Sequence, residues 1–277
     1  MNIAVLSGKG GTGKTTVSTN LALAMKSNYI DCDVEEPNGF LFLNPEIERK
    51  ENVMVEYPVI DKDKCTNCKA CVESCQFNAL AHTNGEIILF EKMCHGCGTC
   101  QIVCKAKAIK YEERSIGQIE EGKTNSILCS RGILDIGEPM AVPVIRQLLQ
   151  EKKGSDNLVD CSPGTSCNVV NSLKYVEAAI LVTEPSYFGL HDLKMAVKLV
   201  KDMNIPFGII INKDNGEENI VKKYCKEENI KIIGLIPYQR NVAVEYSKGH
   251  VLYHNEIYKK IFDELTHSVR EVFSQWN

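Results

Sequence analysis

The sequence has no excess of positive charge. Its 32 lysines and arginines stand against 36 aspartates and glutamates, which gives a formal net charge of −4 and an isoelectric point near 5.9. Proteins that bind nucleic acids carry a basic patch or stripe that attracts the phosphate backbone. The basic residues here are scattered along the chain. We therefore expect no nucleic-acid partner.

Long apolar runs are also missing. No stretch approaches the roughly 20 apolar residues that a membrane-spanning helix needs. The first residues, MNIAVLSGKGG, pass from a short apolar segment into a glycine-rich loop, unlike a secretory signal. The final stretch, SVREVFSQWN, has one arginine and no basic run, so it lacks the charge of an amphipathic membrane anchor. These absences predict a cytoplasmic protein without stable membrane anchoring.

Cysteine, by contrast, is abundant. The chain has 13 cysteines in 277 residues, and eight of them fall between Cys65 and Cys104. Such clustering is typical of metal binding in a reducing compartment, whereas disulfide scaffolds are short secreted chains. Outside this segment, short apolar stretches alternate with helical ones, as in a parallel sheet covered by helices on both faces. We predict an α/β domain in two parts, 1–56 and 114–277, interrupted by a small α+β cysteine domain over 57–113.

Within the α/β parts, apolar stretches predict six strands: IAVLS, NYIDCD, NLVDCS, AAILVTE, FGIIIN and IKIIGLIP. The stretch PNGFLFLNPEIERKEN, residues 37–52, is interpreted as turns and loop. The last helical stretch extends to Trp276 and places apolar residues four apart. These predict one buried stripe of Ile257, Ile261, Leu265 and Val269, flanked by Phe262 and Phe273.

The clearest motif is GKGGTGKT, which matches G-x-x-x-x-G-K-[ST] and lies between a predicted strand and a predicted helix. Such a loop turns its backbone N–H groups around phosphates, and the helix N-terminus adds a favourable dipole. Lys14 is expected to reach the β- and γ-phosphates, and the Thr15 hydroxyl to bind Mg²⁺. This context favours nucleotide binding over a glycine-rich turn without a ligand. The predicted binding residues are Gly8, Lys9, Gly10, Gly11, Thr12, Gly13, Lys14, Thr15 and Thr16.

Acidic residues end two of the predicted strands, and Gly164 follows the second. Asp31 and Asp33 lie in DCDVEEPN, and Asp160 lies in NLVDCSPGTS. Carboxylates at strand ends either cap helices or face a bound metal and the attacking water. Because the phosphate loop is present, we favour a catalytic role for Asp33 and Asp160 and a nucleotide-binding role for Asp31.

The stretch KGGTGKTT has an additional early lysine, Lys9, and in this it resembles the deviant Walker A motif of the MinD/ParA ATPases. Relatives of that family include the nitrogenase iron protein and Mrp-type iron–sulfur carriers. The resemblance implies a P-loop fold, ATP rather than GTP, and a sandwich homodimer. Lys9 would contact the nucleotide of the other subunit and stabilise charge in the transition state; the alternative is a solvated surface lysine.

The same resemblance assigns further roles by position. Asp31 and Asp33 would belong to the first switch, and Asp160 would hold Mg²⁺ through water. Gly164 would offer its N–H to the γ-phosphate as part of a second switch. Asn212 in IIINKDN and Pro237 in LIPYQRNVAVEYSKG would lie near adenine.

The spacing C-x₂-C-x₂-C-x₃-C occurs twice, as in bacterial ferredoxins with two [4Fe–4S] clusters, where the fourth cysteine serves the other cluster. The spacing predicts cluster one on Cys65, Cys68, Cys71 and Cys104. It predicts cluster two on Cys94, Cys97, Cys100 and Cys75. Zinc is the alternative, although its structural sites favour paired C-x₂-C units separated by a loop. Gln76 and Lys105 replace the proline that follows the fourth cysteine in this motif.

Two cysteines stand apart from the repeat. The placement of Cys129 and Cys167 resembles the pair with which the nitrogenase iron protein holds one [4Fe–4S] cluster across its dimer axis. That resemblance implies a third, bridging cluster; the alternative is that both are small core residues. Cys32, Cys161 and Cys225 lie in strand or helix patterns and are predicted to be core.

Together these motifs predict a homodimeric ATPase that carries an inserted two-cluster ferredoxin domain. ATP-driven dimer closure would control electron transfer, or the assembly and delivery of a metal cluster, with a redox partner or a metal-cofactor client. Two other functions remain open. One is spatial positioning in the manner of MinD, and the other is a ferredoxin-type electron carrier whose nucleotide-binding domain is regulatory.

Overall fold

The buried apolar segments of the chain pair into one large sheet. The computed structural model describes residues 1–124, 127–150 and 156–274. In these residues the strands are β1 (Asn2–Leu6), β2 (Asn28–Asp31), β3 (Glu46–Ile60), β4 (Leu80–Thr83), β5 (Glu86–Leu89), β6 (Ile109–Lys123), β7 (Leu128–Leu134), β8 (Asn157–Asp160), β9 (Ala178–Thr183), β10 (Phe207–Asp214) and β11 (Ile232–Pro237). The α-helices are α1 (Lys14–Met25), α2 (Gly39–Leu43), α3 (Ala70–Glu73), α4 (Thr99–Val103), α5 (Ala141–Gln150), α6 (Cys167–Leu173), α7 (Tyr187–Asp202), α8 (Ile220–Glu227), α9 (Arg240–Ser247) and α10 (Glu256–Ser274).

The sheet order is β11-β10-β9-β1-β8-β2-β7-β6-β3. The first seven strands in this order run parallel, and β6 and β3 pair antiparallel at one edge. All six strands predicted from the sequence are present. The mostly parallel α/β fold is confirmed.

Helices cover both faces of the sheet because successive side chains of each central strand point to opposite sides. In β1, Ile3 and Val5 pack in the core beneath α1, α2 and α10, whereas Ala4 and Leu6 pack in the core beneath α5 to α8. A strand buried on both faces is apolar at every position. This explains why the central strands lack a polar alternation.

The stretch 37–52 is not only turns and loop, as the sequence suggested. It contains α2 and the first half of β3, whose 15 residues pair with β6. The strand begins with exposed charged residues because it lies at the sheet edge. Cross-strand ion pairs such as Lys50 Nζ to Glu120 Oε1, 2.6 Å apart, join it to β6. Pairing with a neighbour therefore decides this strand, and its own apolar pattern does not.

The buried stripe of α10 also differs from the prediction. Ile257 is 60% exposed, and the buried face consists of Tyr258, Phe262, Leu265, Thr266, Val269 and Phe273. An α-helix has about 3.6 residues per turn, so a strict spacing of four drifts around its surface. Alternating steps of four and three stay on one face. The predicted end of this helix at Trp276 lies outside the described residues.

The strands β3 and β6 are longer than the sheet requires. Their inner halves belong to the sheet, and their outer halves continue as a two-stranded ribbon that ends at the pair Ile60 and Ile109. Residues 61–108, which contain the eight clustered cysteines, connect the ends of this ribbon and form α3, α4 and the hairpin of β4 and β5. We call residues 61–108 the cysteine segment.

Candidate nucleotide site and cysteine-lined cavities

The glycine-rich loop lies between β1 and α1, at the carboxyl edge of the parallel strands. Gly13 has a φ of 87°, and a Cβ there would collide with the side-chain amide of Asn212. That amide donates a hydrogen bond of 2.8 Å to the carbonyl oxygen of Thr12. Glycine is therefore required at this position both for the turn and for the close approach of β10.

A cleft of about 1170 Å³, partly open to solvent, lies over this loop. Eleven predicted residues line it: Lys9, Gly10, Gly11, Thr12, Gly13, Lys14, Thr15, Thr16, Asp33, Asn212 and Pro237. Four predicted residues do not line it: Gly8, Asp31, Asp160 and Gly164. The cleft also includes residues that sequence reasoning missed, namely Ser7, Glu36, Asn38, Pro163, Lys213, Tyr238, Gln239, Val242 and Tyr246.

The loop fits a phosphate group. The Thr12 hydroxyl is buried and has no hydrogen-bond partner within the described part of the chain. A buried hydroxyl without a partner costs free energy, and an oxygen of a bound phosphate would supply the partner. The loop also opens the 12-residue helix α1, whose first N–H groups are free for an anion.

Behind the loop, charged groups are buried in one network. The Lys14 ammonium bonds Asp160 Oδ1, while Asp160 Oδ2 accepts from the hydroxyls of Ser18 at 2.8 Å and Tyr29 at 2.9 Å. Burial lowers the Lys14 pKa, but the attraction of Asp160 and the other carboxylates outweighs burial and raises the pKa overall. Lys14 is therefore held as a cation where the phosphates are expected. Asp160 faces Lys14, so its predicted contact with Mg²⁺ remains a prediction.

The two aspartates of DCDVEEPN have different surroundings. Asp31 is buried beside Asp160, its register partner on β8, and it accepts backbone N–H bonds from Gly39 at 2.9 Å and Asp33 at 3.1 Å. Burial and the charge of Asp160 raise the pKa of Asp31. Asp31 thus holds the loop that follows β2. Asp33 itself lines the cleft, where burial raises its pKa to about 6 despite the nearby Lys14.

Lys9 is held by an acid that sequence reasoning missed. Its ammonium lies 2.8 Å from Glu184 Oε1, and Lys213 Nζ lies 2.8 Å from Glu184 Oε2. Burial raises the pKa of Glu184, but the hydrogen bonds of the two lysines outweigh it and bring the pKa to about 2. Lys9 is therefore not a freely solvated lysine in this chain. The position of Glu184 after a strand of the same sheet edge was the available signal.

The remaining predicted residues frame the cleft. The N–H of Gly164 donates a 2.8 Å hydrogen bond to the Ser7 carbonyl, so in this arrangement it is already paired. Gly8 packs against the backbone of Asp192 at α7. At the other end, Pro237 is joined by Tyr238 and by Val242 and Tyr246 of α9, which form an apolar wall. The helical spacing of the last two, four residues apart, could have identified them.

The eight clustered cysteines line two cavities at the end of the ribbon. The first, of about 350 Å³, is lined by Cys65, Cys68, Cys71 and Cys104. The second, of about 310 Å³, is lined by Cys75, Cys94, Cys97 and Cys100. Each cavity takes three cysteines from one repeat and the fourth from the other repeat. These are the two sets that the spacing of the sequence groups together.

The same local geometry recurs in both repeats. The chain turns through Lys69 and Gly98, both with positive φ, into the short helices α3 and α4, and each helix places a buried cysteine. Within residues 1–124, 127–150 and 156–274, no three side chains of His, Cys, Asp or Glu are arranged to hold a single metal ion. The eight thiols line the two cavities, four to each.

The chain matches the CbiA family model, described as the CobQ/CobB/MinD/ParA nucleotide binding domain, over residues 3–252. The chain belongs to this family. Members of the family are ATP-binding ATPases, and this chain is a P-loop ATPase.

Similar proteins match this ATPase over most of its length. An uncharacterized protein of Methanocaldococcus jannaschii is 34% identical over 257 residues, which are 90% of each chain. An iron–sulfur cluster carrier protein of Pyrococcus horikoshii is 28% identical over 95% of this chain and 83% of its own length. The septum site-determining protein MinD of Pyrococcus horikoshii, complexed with Mg-ADP, has a TM-score of 0.60 at 17% identity, covering 97% and 95% of the two chains. The likeness to MinD shows the fold alone.

The structure does not bring Cys129 and Cys167 of the ATPase together. Cys129 is 1% exposed on β7 and packs in the core beneath α1 and α10, where burial raises its pKa to about 12. Cys167 is exposed at the start of α6, which covers the opposite face of the sheet. Cys129 is therefore a core residue in this chain, and the bridging cluster on Cys129 and Cys167 stays a prediction. Cys32, Cys161 and Cys225 are core residues, as predicted.

Among the described residues of the ATPase, no helix has the length and apolarity to cross a membrane.

Proposed function

We propose that this protein is a homodimeric ATPase in which nucleotide-driven closure is coupled to electron transfer through two [4Fe–4S] clusters. The clusters would be held by the cysteine domain predicted over residues 57–113, in the cytoplasm. The observation that carries the proposal is the sorting of eight thiols into two cavities, four to each, on a ribbon continuous with the ATPase sheet.

The nucleotide end supplies the groups for hydrolysis. Lys14, held protonated by Asp160, neutralises charge on the β- and γ-phosphates. Asp33 lines the cleft with a pKa near that of a neutral-pH base, so it suits orientation and deprotonation of the attacking water. The Thr15 hydroxyl also lines the cleft and offers an oxygen ligand of the kind that Mg²⁺ prefers, and the ion would further neutralise phosphate charge.

Two contacts would have to open when the dimer closes on ATP. Glu184 holds Lys9 within its own subunit, and the Ser7 carbonyl occupies the N–H of Gly164. A γ-phosphate offers both donors a more highly charged partner, and charge-assisted bonds are about twice as strong as neutral ones. Lys9 already has a charged partner in Glu184, so it would exchange one ion pair for another to reach the partner's nucleotide.

The cysteine end fits iron–sulfur clusters better than zinc. Four thiols line each cavity in the grouping of two-cluster ferredoxins, whereas structural zinc sites favour paired C-x₂-C units separated by a loop. Each cluster, when bound, carries one electron at a time. The name iron–sulfur cluster carrier protein, borne by relatives at 26–28% identity, supports a link between this ATPase family and such clusters.

A second candidate is the delivery of a cluster to a client protein. It is favoured by the names of those relatives and by Cys167, an exposed thiol near the Gly164 turn. Four chain cysteines at each cavity favour retention, and retained clusters suit electron transfer. Transfer of ⁵⁵Fe to an apo-acceptor protein separates the two: delivery predicts ATP-dependent loss of iron from this chain, and electron transfer predicts retention.

Anaerobic purification with iron and sulfide counting tests the proposal. We expect about eight irons per chain, the content of two clusters, and a change in ATP turnover when Cys68→Ser and Cys97→Ser remove one ligand from each set. Ile102→Ser is the control, because this side chain is exposed in the same segment and lines neither cavity. Zinc in place of iron, or equal turnover with and without clusters, would reject the coupling. About ten irons per chain would indicate a third cluster shared by two chains.

A further inference from the structure

The two cysteine cavities are built by a repeat, so most of their contacts are equivalent. The backbone N–H of Ala79 lies 3.3 Å from the sulfur of Cys75, and the N–H of Ala108 lies 3.3 Å from the sulfur of Cys104. These two pairs are related by the 29-residue offset of the repeat. A chemical difference between the two cavities must therefore come from residues that do not make these equivalent contacts.

The walls contributed by the ribbon provide that difference. The register pair Ile60 and Ile109 lines the first cavity, and the register pair Pro58 and Tyr111 lines the second. The position equivalent to Tyr111 in the first repeat is His82, on β4, and it does not line the first cavity. The second cavity alone thus receives a phenol from the ribbon.

The hydroxyl of Tyr111 contacts one of the thiols. It lies 3.1 Å from Cys100 Sγ and accepts a 3.2 Å hydrogen bond from the backbone N–H of Gly98. A metal-bound thiolate has no proton to give, and the Gly98 bond uses the phenol oxygen as an acceptor. With a cluster bound, the phenol proton would therefore be directed at the sulfur.

His95 also lines only the second cavity, where its ring stacks on Phe77, and at the first cavity the Asn67 amide oxygen lies 3.8 Å from Cys65 Sγ. Neither contact directs a hydroxyl at a sulfur.

Two threonine hydroxyls do contact thiols, one at each cavity. Thr66 bonds Cys68 at the first cavity, and Thr99 lies 3.4 Å from Cys97 at the second, so each site has one threonine hydroxyl on an outer cysteine. Lys69 also lines the first cavity, and it is exposed to solvent, which screens its charge.

We propose that Tyr111 sets the reduction potential of the second cluster and not of the first, so that the two clusters are inequivalent acceptors. This inference rests on the proposed function, since it requires both clusters to be present. Reduction adds one negative charge that is shared by the ligand sulfurs. A hydrogen bond directed at a sulfur stabilises the reduced form and raises the potential, one of the ways in which proteins tune such clusters.

Tyr111→Phe removes the hydroxyl and keeps the ring. A redox titration with dithionite and mediators, followed by electron paramagnetic resonance of each cluster, should then show one of two reduction steps moved to lower potential. We expect at least a tenfold smaller ratio of reduced to oxidised second cluster at a fixed potential, equal to about 59 mV for one electron. The other step should not move.

Tyr57→Phe is the matched control, because Tyr57 lies on the neighbouring strand, lines neither cavity and has its hydroxyl 3.4 Å from Glu112. If Tyr111→Phe fails to assemble, Tyr111→Met provides a second chain without the hydroxyl. Protein that never binds about eight irons overturns both the proposed function and this inference. Full iron content with unmoved steps, or with both steps moved equally, overturns the role of Tyr111 alone.

Discussion

The nucleotide end and the cysteine segment are both built to hold a charged group, but they differ in what supports them. The phosphate loop lies on a sheet whose two faces are covered by helices, and its charges are already paired behind the cleft in the network of Lys14, Asp160 and Tyr29. The cysteine segment has a core cluster of four buried residues, two of which are cysteines.

This difference teaches where a ligand contributes to folding. A domain of fewer than about 70 residues rarely gains enough free energy from its apolar core, and a bound metal commonly makes up the deficit. We expect the nucleotide end to keep its fold without ATP. We expect the cysteine segment to depend on its clusters, because two of the four buried residues in its core are themselves cysteines of the predicted ligand sets.

Removing iron is the largest predicted perturbation. After chelation under reducing conditions, amide hydrogen exchange in β4, β5, α3 and α4 should approach the rate of unprotected chain, whereas β1 and β8 should keep their protection. Protection that persists throughout residues 61–108 in the iron-free protein would remove the contrast between the two regions.

Lys9→Ala tests the catalytic end. Removing a charge that stabilises the transition state typically costs about 10²–10³-fold in turnover, and nucleotide binding to the single subunit should persist through Lys14. Phosphate release and equilibrium binding of a fluorescent ATP analogue measure the two quantities. Lys198→Ala, at an exposed lysine of α7, is the control. Unchanged turnover in Lys9→Ala would count against a shared dimer site.

Tyr29→Phe tests whether the hydrogen-bond network behind the phosphate loop stabilises the fold. Its hydroxyl donates to a buried carboxylate, and a hydrogen bond to a charged group contributes about 1.5–3 kcal/mol. The free energy of unfolding in urea should fall by about 2 kcal/mol. Tyr57→Phe removes a hydroxyl that lies 3.4 Å from Glu112 on a half-buried side chain, and it should change the free energy of unfolding by much less. Equal effects at both positions would mean that the network does not stabilise the fold.

Glu184→Gln should have the smallest effect, and one that depends on pH. The Glu184 pKa falls from 4.5 to about 2 in the folded chain. A carboxylate with a depressed pKa contributes stability that is full above its unfolded pKa and is lost as the pH falls through the folded value. The wild-type advantage over the variant should therefore be constant above pH 4.5 and shrink towards pH 2.

Denaturation curves at several pH values measure this advantage. For Glu218→Gln, at an exposed glutamate, the stability difference from wild type should not change with pH. An advantage that stayed constant down to pH 2 would contradict the ion pairs of Glu184.

Local motifs accounted for much of the fold and of both sites. A phosphate loop is recognised within eight residues. Five of the six predicted strands, all except β11, are buried on both faces, so their identity depends little on which strand lies beside them. The interleaved cysteine sets followed from spacing alone. The strands β3 and β6 escaped prediction because they pair antiparallel at a partly exposed edge, where the partner supplies the stabilisation.

The sequence by itself determined the loop, the early lysine and the repeat of the cysteines, because each is a short-range pattern whose chemistry depends on residue type and spacing. Tertiary structure alone decided that Glu184 holds Lys9, that Asp31 lies buried behind the cleft, that Cys129 is in the core, and that Tyr111 meets Cys100. Each of these depends on which strands become neighbours. Strand order arises from the packing of the whole sheet, so it cannot be inferred from the sequence of any single segment.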